Sequence, residues 1–577
     1  MKAIITCLFA LLSVTSSARQ LTVRVDSVGC LGTSLPDSIR YSMTELKICG
    51  PLNGNDLRIL QTIAGRTKPK KASNHVLTEL DLSEASIAEG KSGFRTTENV
   101  LPAAMFINCR DLEHIILPTS LKEIGRSCFS GCSNLKEVKM GDTLRVINDY
   151  AFAGCTSLAD ITLPAMLETI KAHAFENCAT LSCIDIPETV KTIDNSAFEG
   201  CAELETVNIE GQINRINKST FEGCKRLSHI AIPESVTLIG SDAFKDCASL
   251  DSITIPDAIS EIGSGAFEGC LSLCELSLHA AATIGSEAFK SCHSLQNVSI
   301  ENVNRLGSAV FQNCNSLNTV RINGNLQAIN TETFAGCTSL KDIVLPATIK
   351  TIGTRAFSDC KSLSQIELPA SLTRINDEAF QQCASLKSIY IPKLTKELGK
   401  ATFERCISLD SVFIEGFVEE LESDIFRYCH SLRVVRLPVS IKKIEDSAFE
   451  QCTSLYAIDL PISVTSIGDN TFEKCVSLTT MNIPAACTTI GSAAFRECSG
   501  LVRIELPAAL KKIGGNAFAK CASLREVAMS SPLPPSISSS TFKNVVTVAC
   551  KIYVPKGSKR NYQADKQWKK LPFIVEN

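Results

Sequence analysis

Residues 357–369 read Phe357-Ser-Asp-Cys360-Lys-Ser-Leu363-Ser-Gln-Ile366-Glu-Leu368-Pro369, and this stretch decides the fold. Phe357, Cys360 and Leu363 recur every third residue, the period of a single 3₁₀ or helical turn that keeps one side inward. Ile366 and Leu368 then alternate with Gln365 and Glu367, which is strand period. Pro369 ends the strand, because it has no N–H to give to a sheet ladder. Leu372 and Ile375 return to the core. Asn376 follows, and its counterparts are Gly125, Gly240, Gly263, Gly353, Gly468, Gly491 and Gly514, or Asn148, Asp194, Asn217 and Asn330. Those residue types tolerate a left-handed backbone, so a left-handed turn is expected at this place.

Working outward, the next coil repeats the pattern as Phe380, Cys383 and Leu386. The set occurs nineteen times, from Phe106–Cys109–Leu112 to Phe518–Cys521–Leu524. The Cys-to-Cys step is 23 residues throughout, except for Cys270→Cys292→Cys314, where it is 22. A period this short implies stacked coils, each burying its apolar face against its neighbours. Strands of successive coils then pair in parallel about 4.8 Å apart. Phe357, Cys360, Leu363, Phe380, Cys383 and Leu386 belong to a core ladder, and each buried Phe contributes roughly 1.5–3 kcal/mol. Such a chain escapes the size limit of a single globular core by growing along one axis.

The repeated unit, Leu-Pro-x-x-Leu/Ile-x-x-Ile-Gly-x-x-Ala-Phe-x-x-Cys-x-Ser-Leu, resembles that of the BspA-like leucine-rich repeat proteins. Leu345 to Leu363 and Leu506 to Leu524 are close examples, and the resemblance covers residues 101–530. The flanking stretches Leu77–Ser86 and Ile552–Ser558, the latter followed by Tyr562 and Trp568, resemble the ends of the same proteins. The resemblance implies an α/β repeat solenoid of right-handed coils with a parallel strand face, short 3₁₀ or helical turns and a cap at each end. It also implies a surface protein of gut or oral bacteria, shared by some mucosal protists, that adheres to host matrix, mucosal protein or another microbe.

The chain accordingly divides into a signal peptide at 1–18, an N-terminal cap at 19–100, the repeats at 101–530 and a C-terminal cap at 531–577. Lys2, the apolar run Ala3–Leu12 and the small residues Ser16-Ser17-Ala18 have the order of an export signal. That run is too short to span a bilayer, which takes about 20 residues. Secretion or cell-surface association is therefore expected, with the periplasm open; no sorting motif or lipid-attachment site accompanies the signal. In the N-terminal cap, Leu57, Leu60 and Ile63 have helical spacing, with Asn55 or Asp56 as N-cap and Gly65 as terminator. Of 27 Cys, nineteen hold the repeat position, where a small buried thiol packs well. Parallel side chains of neighbouring coils point the same way, so a thiol ladder is expected rather than bridges. Cys30 with Cys49 is the pair favoured for any disulfide.

Net charge is −3, and Lys and Arg are scattered apart from Lys68–Lys71, a cluster read as a solvated loop. This gives no electrostatic case for nucleic acid or an anionic membrane. No catalytic, metal or cofactor motif is present. His114, Glu137, Asp160 and Cys183 share one outward row, but three coils put Cys183 about 14 Å from His114, too far for activation. A second row, seven residues after the Cys, presents Tyr390, Phe413 and Arg436, with Val344 and Glu367 before them. Exposed aromatic and Arg residues suit a protein interface or sugar stacking, and these three are the candidate ligand patch. Twelve coils carry Pro nine after the Cys, whereas those of Cys201, Cys270, Cys292 and Cys314 have Glu210, His279, Glu301 and Asn323. With the two shortened coils, this marks 270–323 as a place where curvature changes. The expected function is non-enzymatic, multivalent binding of an extracellular protein; the alternative is carbohydrate binding or scaffolding.

Overall fold

The computed structural model describes residues 20–37, 40, 43–65, 77–545, 550–571 and 574–576 of the 577-residue chain. The expected signal peptide and the Lys68–Lys71 cluster lie outside these residues. The chain divides into two compact units, Met1–Cys274 and Glu275–Asn577. Each is a stack of coils with a parallel strand face.

In the first unit, strands Gln20–Arg24, Glu45–Leu52, Glu79–Asp81, His114–Ile116 and Glu137–Lys139 pair in that order, all parallel. The flank before the repeats thus supplies rungs of the same sheet and covers its edge. The strands Cys183–Ile186, Thr206–Ile209 and His229–Ile230 continue the face. In the second unit, Glu275–Leu278 to Asp342–Val344 form one run and Ser388–Ile391 to Val434–Arg436 another. A third begins at Thr480–Asn482 and takes in Lys551–Val554 and Ile574–Glu576 from the C-terminal flank. Residues 365–368, expected as a strand, follow the coil without forming one. Each coil also has a second strand of two residues, such as Thr351–Ile352 and Arg374–Ile375, which pair in parallel on another side. Sequence period could not reveal a strand so short.

The Phe–Cys–Leu segment makes the expected three-residue turns: Cys360 N–H donates to Phe357 O at 3.2 Å and Leu363 N–H to Cys360 O at 3.1 Å. It is not helical, because a left-handed residue sits two before and two after each Phe, as Arg355 and Asp359 do with φ of 54° and 60°. α-Helices, at Leu31–Ser34, Gly54–Ile63 and Lys559–Ala564, occur only in the flanks among the described residues. The left-handed turn expected at Asn376 and its counterparts is therefore misplaced. Glycine serves close approach there instead: a Cβ on Gly491 would lie 2.3 Å from the Gly468 carbonyl of the preceding coil. Where Asn stands, its amide bonds that coil, as Asn148 Nδ2 does to Ile124 O at 2.9 Å.

The helix Gly54–Ile63 begins two or three residues earlier than expected. Asn53 is the N-cap, and its side chain and that of Asp56 form a reciprocal capping box. Asp56 is fully buried and also accepts from Gly29 N and Leu31 N at 2.7 and 3.0 Å, tying the first segment to the helix. Gly65, with φ of 98°, ends it.

Inside the coils the Phe rings stack with centroids 5.2–5.7 Å apart, from Phe106 to Phe267 in the first unit. In the second they run from Phe289 to Phe518 and then to Phe542, 5.3 Å beyond, which sequence period had not included. Trp568 tilts over Phe542 at 6.1 Å and meets Tyr562 edge-on at 5.0 Å. Its Nε1 donates to Pro535 O at 2.7 Å, so the C-terminal flank closes the stack with an indole whose polar atom is satisfied.

The Cys column is a ladder of free thiols. Cys383 Sγ donates to Phe357 O of the preceding coil at 3.2 Å. The same bond, from 3.0 to 3.3 Å, joins Cys132 through Cys270 and Cys314 through Cys521 to their preceding Phe. The Phe carbonyl already accepts the Cys N–H of its own coil, and the thiol of the next coil gives it a second hydrogen bond that Ala could not supply. Cys30 and Cys49 are also free, Cys30 Sγ lying 3.1 Å from Ser27 Oγ.

Candidate ligand-binding surface

Tyr390, Phe413 and Arg436 stand at matching rungs of three consecutive strands, Tyr390 opposite Phe413 and Phe413 opposite Arg436. Alternation along Ser388–Ile391 buries Ile389 and Ile391 and leaves Tyr390 half-exposed on the outer face. The Arg436 guanidinium lies over the Phe413 ring, 5.3 Å from its centre, a cation–π contact. The Tyr390 hydroxyl donates to Glu415 Oε2 at 2.5 Å, and that carboxylate, first among the causes, holds the phenol above its ordinary pKa. Val344 is exposed on its own strand, and Glu367 lies on the coil that forms none.

Just beyond this row the structure exposes four large apolar side chains that the sequence reading missed. Leu394, Phe417, Val439 and Ile462 follow the strand in consecutive coils and are 55, 63, 83 and 85% exposed. Most other coils place small or polar residues at these turn positions, for example Ala347 and Thr348 or Ala370 and Ser371, although the coil of Cys155 has the exposed Met166. A column-by-column comparison of the coils would have found them; a search for chemically active residue types would not. Tyr456, also exposed, stands on the coil of Ile462. A shallow groove of about 450 Å³ lies along the two-residue strands of the same unit, lined by Arg374, Asp377, Lys400, Glu420 and Glu422 among others. Its charges are largely self-neutralised: Arg374 pairs with Glu397, and Lys443 Nζ reaches Glu420 at 2.8 Å.

The first unit carries the other row. His114 Nδ1 is 3.3 Å from Glu137 Oε2, and Glu137 also binds Lys139 Nζ at 3.2 Å. Lys139 and then His114 lower the Glu137 carboxyl below its usual range. Both line a groove of about 410 Å³ with Lys47 and Asp81. Asp160 and Cys183 are exposed further along the row, and Cys183 pairs in register with Thr206, in a run separate from that of His114. The row therefore sets an imidazole beside a carboxylate but does not set a thiol against a base.

Residues 99–228, 214–341, 304–433 and 419–549 match the family model described as BspA type leucine rich repeat region, in six copies. A leucine-rich repeat protein of Bacteroides ovatus is similar at 22% identity, over 87% of this chain and 92% of that one, with a TM-score of 0.30. One of Eubacterium ventriosum is 21% identical over 57% of this chain and 82% of its own, with a TM-score of 0.37. A leucine rich cell surface protein of Faecalibacterium prausnitzii is 22% identical over 60% and 88%, with a TM-score of 0.31. No curated protein sequence matches. Among the described residues no helix is long and apolar enough to cross a membrane.

Proposed function

This chain belongs to the BspA-type leucine-rich repeat family, and we propose that it is a non-enzymatic, exported adhesin that binds an extracellular protein through the second unit. The observation that carries the reading is the exposed ridge Leu394–Phe417–Val439–Ile462 beside the row Tyr390–Phe413–Arg436. Large apolar groups repeated over four coils and rimmed by charge have the anatomy of an interface. Aromatic and Arg residues beside them supply its anchors. Host matrix, mucosal protein and microbial surface protein are the ligand classes that family membership suggests.

Carbohydrate binding is the second reading, and the half-exposed Tyr390 ring favours it. Against it, Arg436 already covers Phe413, which leaves that ring less open to a sugar face. Binding of the full chain to immobilised mucosal and matrix proteins, beside a glycan array, separates the two. Phe417→Ser with Ile462→Ser is expected to weaken protein binding at least tenfold and leave the fold intact. Unchanged protein binding by that double variant contradicts the proposal. Glycan binding abolished by Tyr390→Ala and Phe413→Ala replaces it with the second reading.

A further inference from the structure

We infer a divalent transition-metal site, of the kind that takes Zn²⁺, at His173, Glu176 and Glu199 in the first unit. One ligand atom from each of the three lies within 4.8 Å of the others. The backbone builds this cluster across two coils. Glu176 N–H donates to His173 O at 3.2 Å, closing the turn that puts both side chains together. Phe175 N–H to Ala197 O at 2.8 Å and Asn177 N–H to Glu199 O at 2.7 Å then fix the next coil, and with it Glu199, alongside.

The imidazole is held before any ion arrives. His173 has a left-handed backbone with φ of 58°, and its ring stacks on Tyr150 at 4.4 Å with planes 2° apart. Its Nδ1 is shut off from solvent and makes no hydrogen bond, although Glu176 Oε2 lies only 3.1 Å away. An imidazole nitrogen and a carboxylate oxygen brought this close without hydrogen-bond geometry are placed as two ligands of one cation would be. Zn–N and Zn–O bonds of about 2.0–2.2 Å put tetrahedral ligands roughly 3.4 Å apart. The half-buried Glu199 carboxylate, within 4.8 Å of the other two, has to turn toward them to complete the set.

The charge pattern of the same column supports the assignment. The residue following each Phe is Glu in three successive coils, Glu176, Glu199 and Glu222, before Lys245. Lys245 pairs with Glu268 at 2.9 Å, and among the described residues no Lys or Arg pairs with Glu176 or Glu199. In the second unit cations flank the stacked carboxylates of this column: Arg427 reaches Glu450 at 3.1 Å and Arg496, on the other side, reaches Glu473 at 2.5 Å. Stacked like charges a coil apart are unfavourable without a counter-charge, and a dication at His173 supplies it for Glu176 and Glu199. One imidazole with two carboxylates suits a borderline ion rather than Ca²⁺ or Mg²⁺, which take oxygen sets. With water completing the shell, the ion clasps two adjacent coils.

The test is calorimetric titration of the full-length, tag-free, chelator-treated protein with Zn²⁺, together with the absorption spectrum of the Co²⁺ form. One site is expected, with a rise in melting temperature on loading and no sulfur-to-cobalt charge-transfer band. Glu199→Gln and His173→Phe, the latter keeping a ring on Tyr150, are each expected to weaken binding at least tenfold and to abolish the thermal shift. His114→Ala is expected to leave both unchanged. Titration of Glu199→Gln and His173→Phe indistinguishable from the parent overturns the site, as does a thiolate charge-transfer band or Ca²⁺ binding as tight as that of Zn²⁺.

Discussion

At the level of single residues, the repeated Phe is the largest contributor to each coil. Phe380 is fully buried between Phe357 at 5.2 Å and Phe403 at 5.5 Å, so truncation leaves a cavity with aromatic walls on both sides. Phe380→Ala is expected to lower unfolding stability by about 3–5 kcal/mol in denaturant titration. Tyr390→Ala, on the outer face, is expected to change it by less than about 0.5 kcal/mol. Equal losses for the two would mean that inside and outside are misassigned. The Phe, Cys and Leu columns are legible in sequence because burial tolerates so few residue types there. The left-handed positions are not, because Asp359, Gln382, Arg405, Tyr428 and Lys474 all occupy one of them. Their backbone is imposed by coil-to-coil bonds such as Asp359 N–H to Gln381 O at 2.9 Å, and not by their own preference.

Among the elements, the thiol column has a pH signature. Burial pushes the Cys406 and Cys521 thiols up from 9.0 to about 12, and others of the column higher still. A thiol whose folded pKa is raised holds its proton longer in the folded chain than in the unfolded one. Its contribution is complete below pH 9 and is lost between pH 9 and the folded value, by about 1.4 kcal/mol per pH unit for each thiol. The protein is therefore expected to unfold steeply in mild alkali. Cys406→Ala is expected to reduce the slope of unfolding free energy against pH, from 9 to 11, by that same amount per unit. Identical slopes would mean that Cys406 ionises alike in both states. Strand placement was partly legible. Pro marks the strand end in most coils, and where Glu301 and Asn323 replace it the strands lengthen to Asn297–Val303 and Thr319–Gly324, with a register shift after Ile300. The two-residue strands ending at Ile352 or Ile375 carry too short a pattern to read.

For the whole molecule, nineteen near-identical coils make the repeat architecture and the family plain from sequence, while the surface that distinguishes this chain is not. The ridge takes Leu394 and Phe417 from one turn position and Val439 and Ile462 from the position before it, and a single exposed Leu or Val is ordinary on any protein. It becomes a feature only when stacking sets four of them side by side. The cluster at His173, Glu176 and Glu199 is hidden for the same reason, since its ligands are 3 and 23 residues apart and meet through coil stacking. Both sites thus rest on one claim, that Phe, Cys and Leu face inward in every coil and leave the columns that carry the two sites on the outside. Alkylation of the native protein with iodoacetamide at pH 8, mapped by mass spectrometry, tests it most directly. Cys183 and Cys274, both exposed, are expected to react quickly, and the buried column from Cys132 to Cys521 only after unfolding. Labelling of Cys360 and Cys383 in the native state as fast as Cys183 would contradict the account.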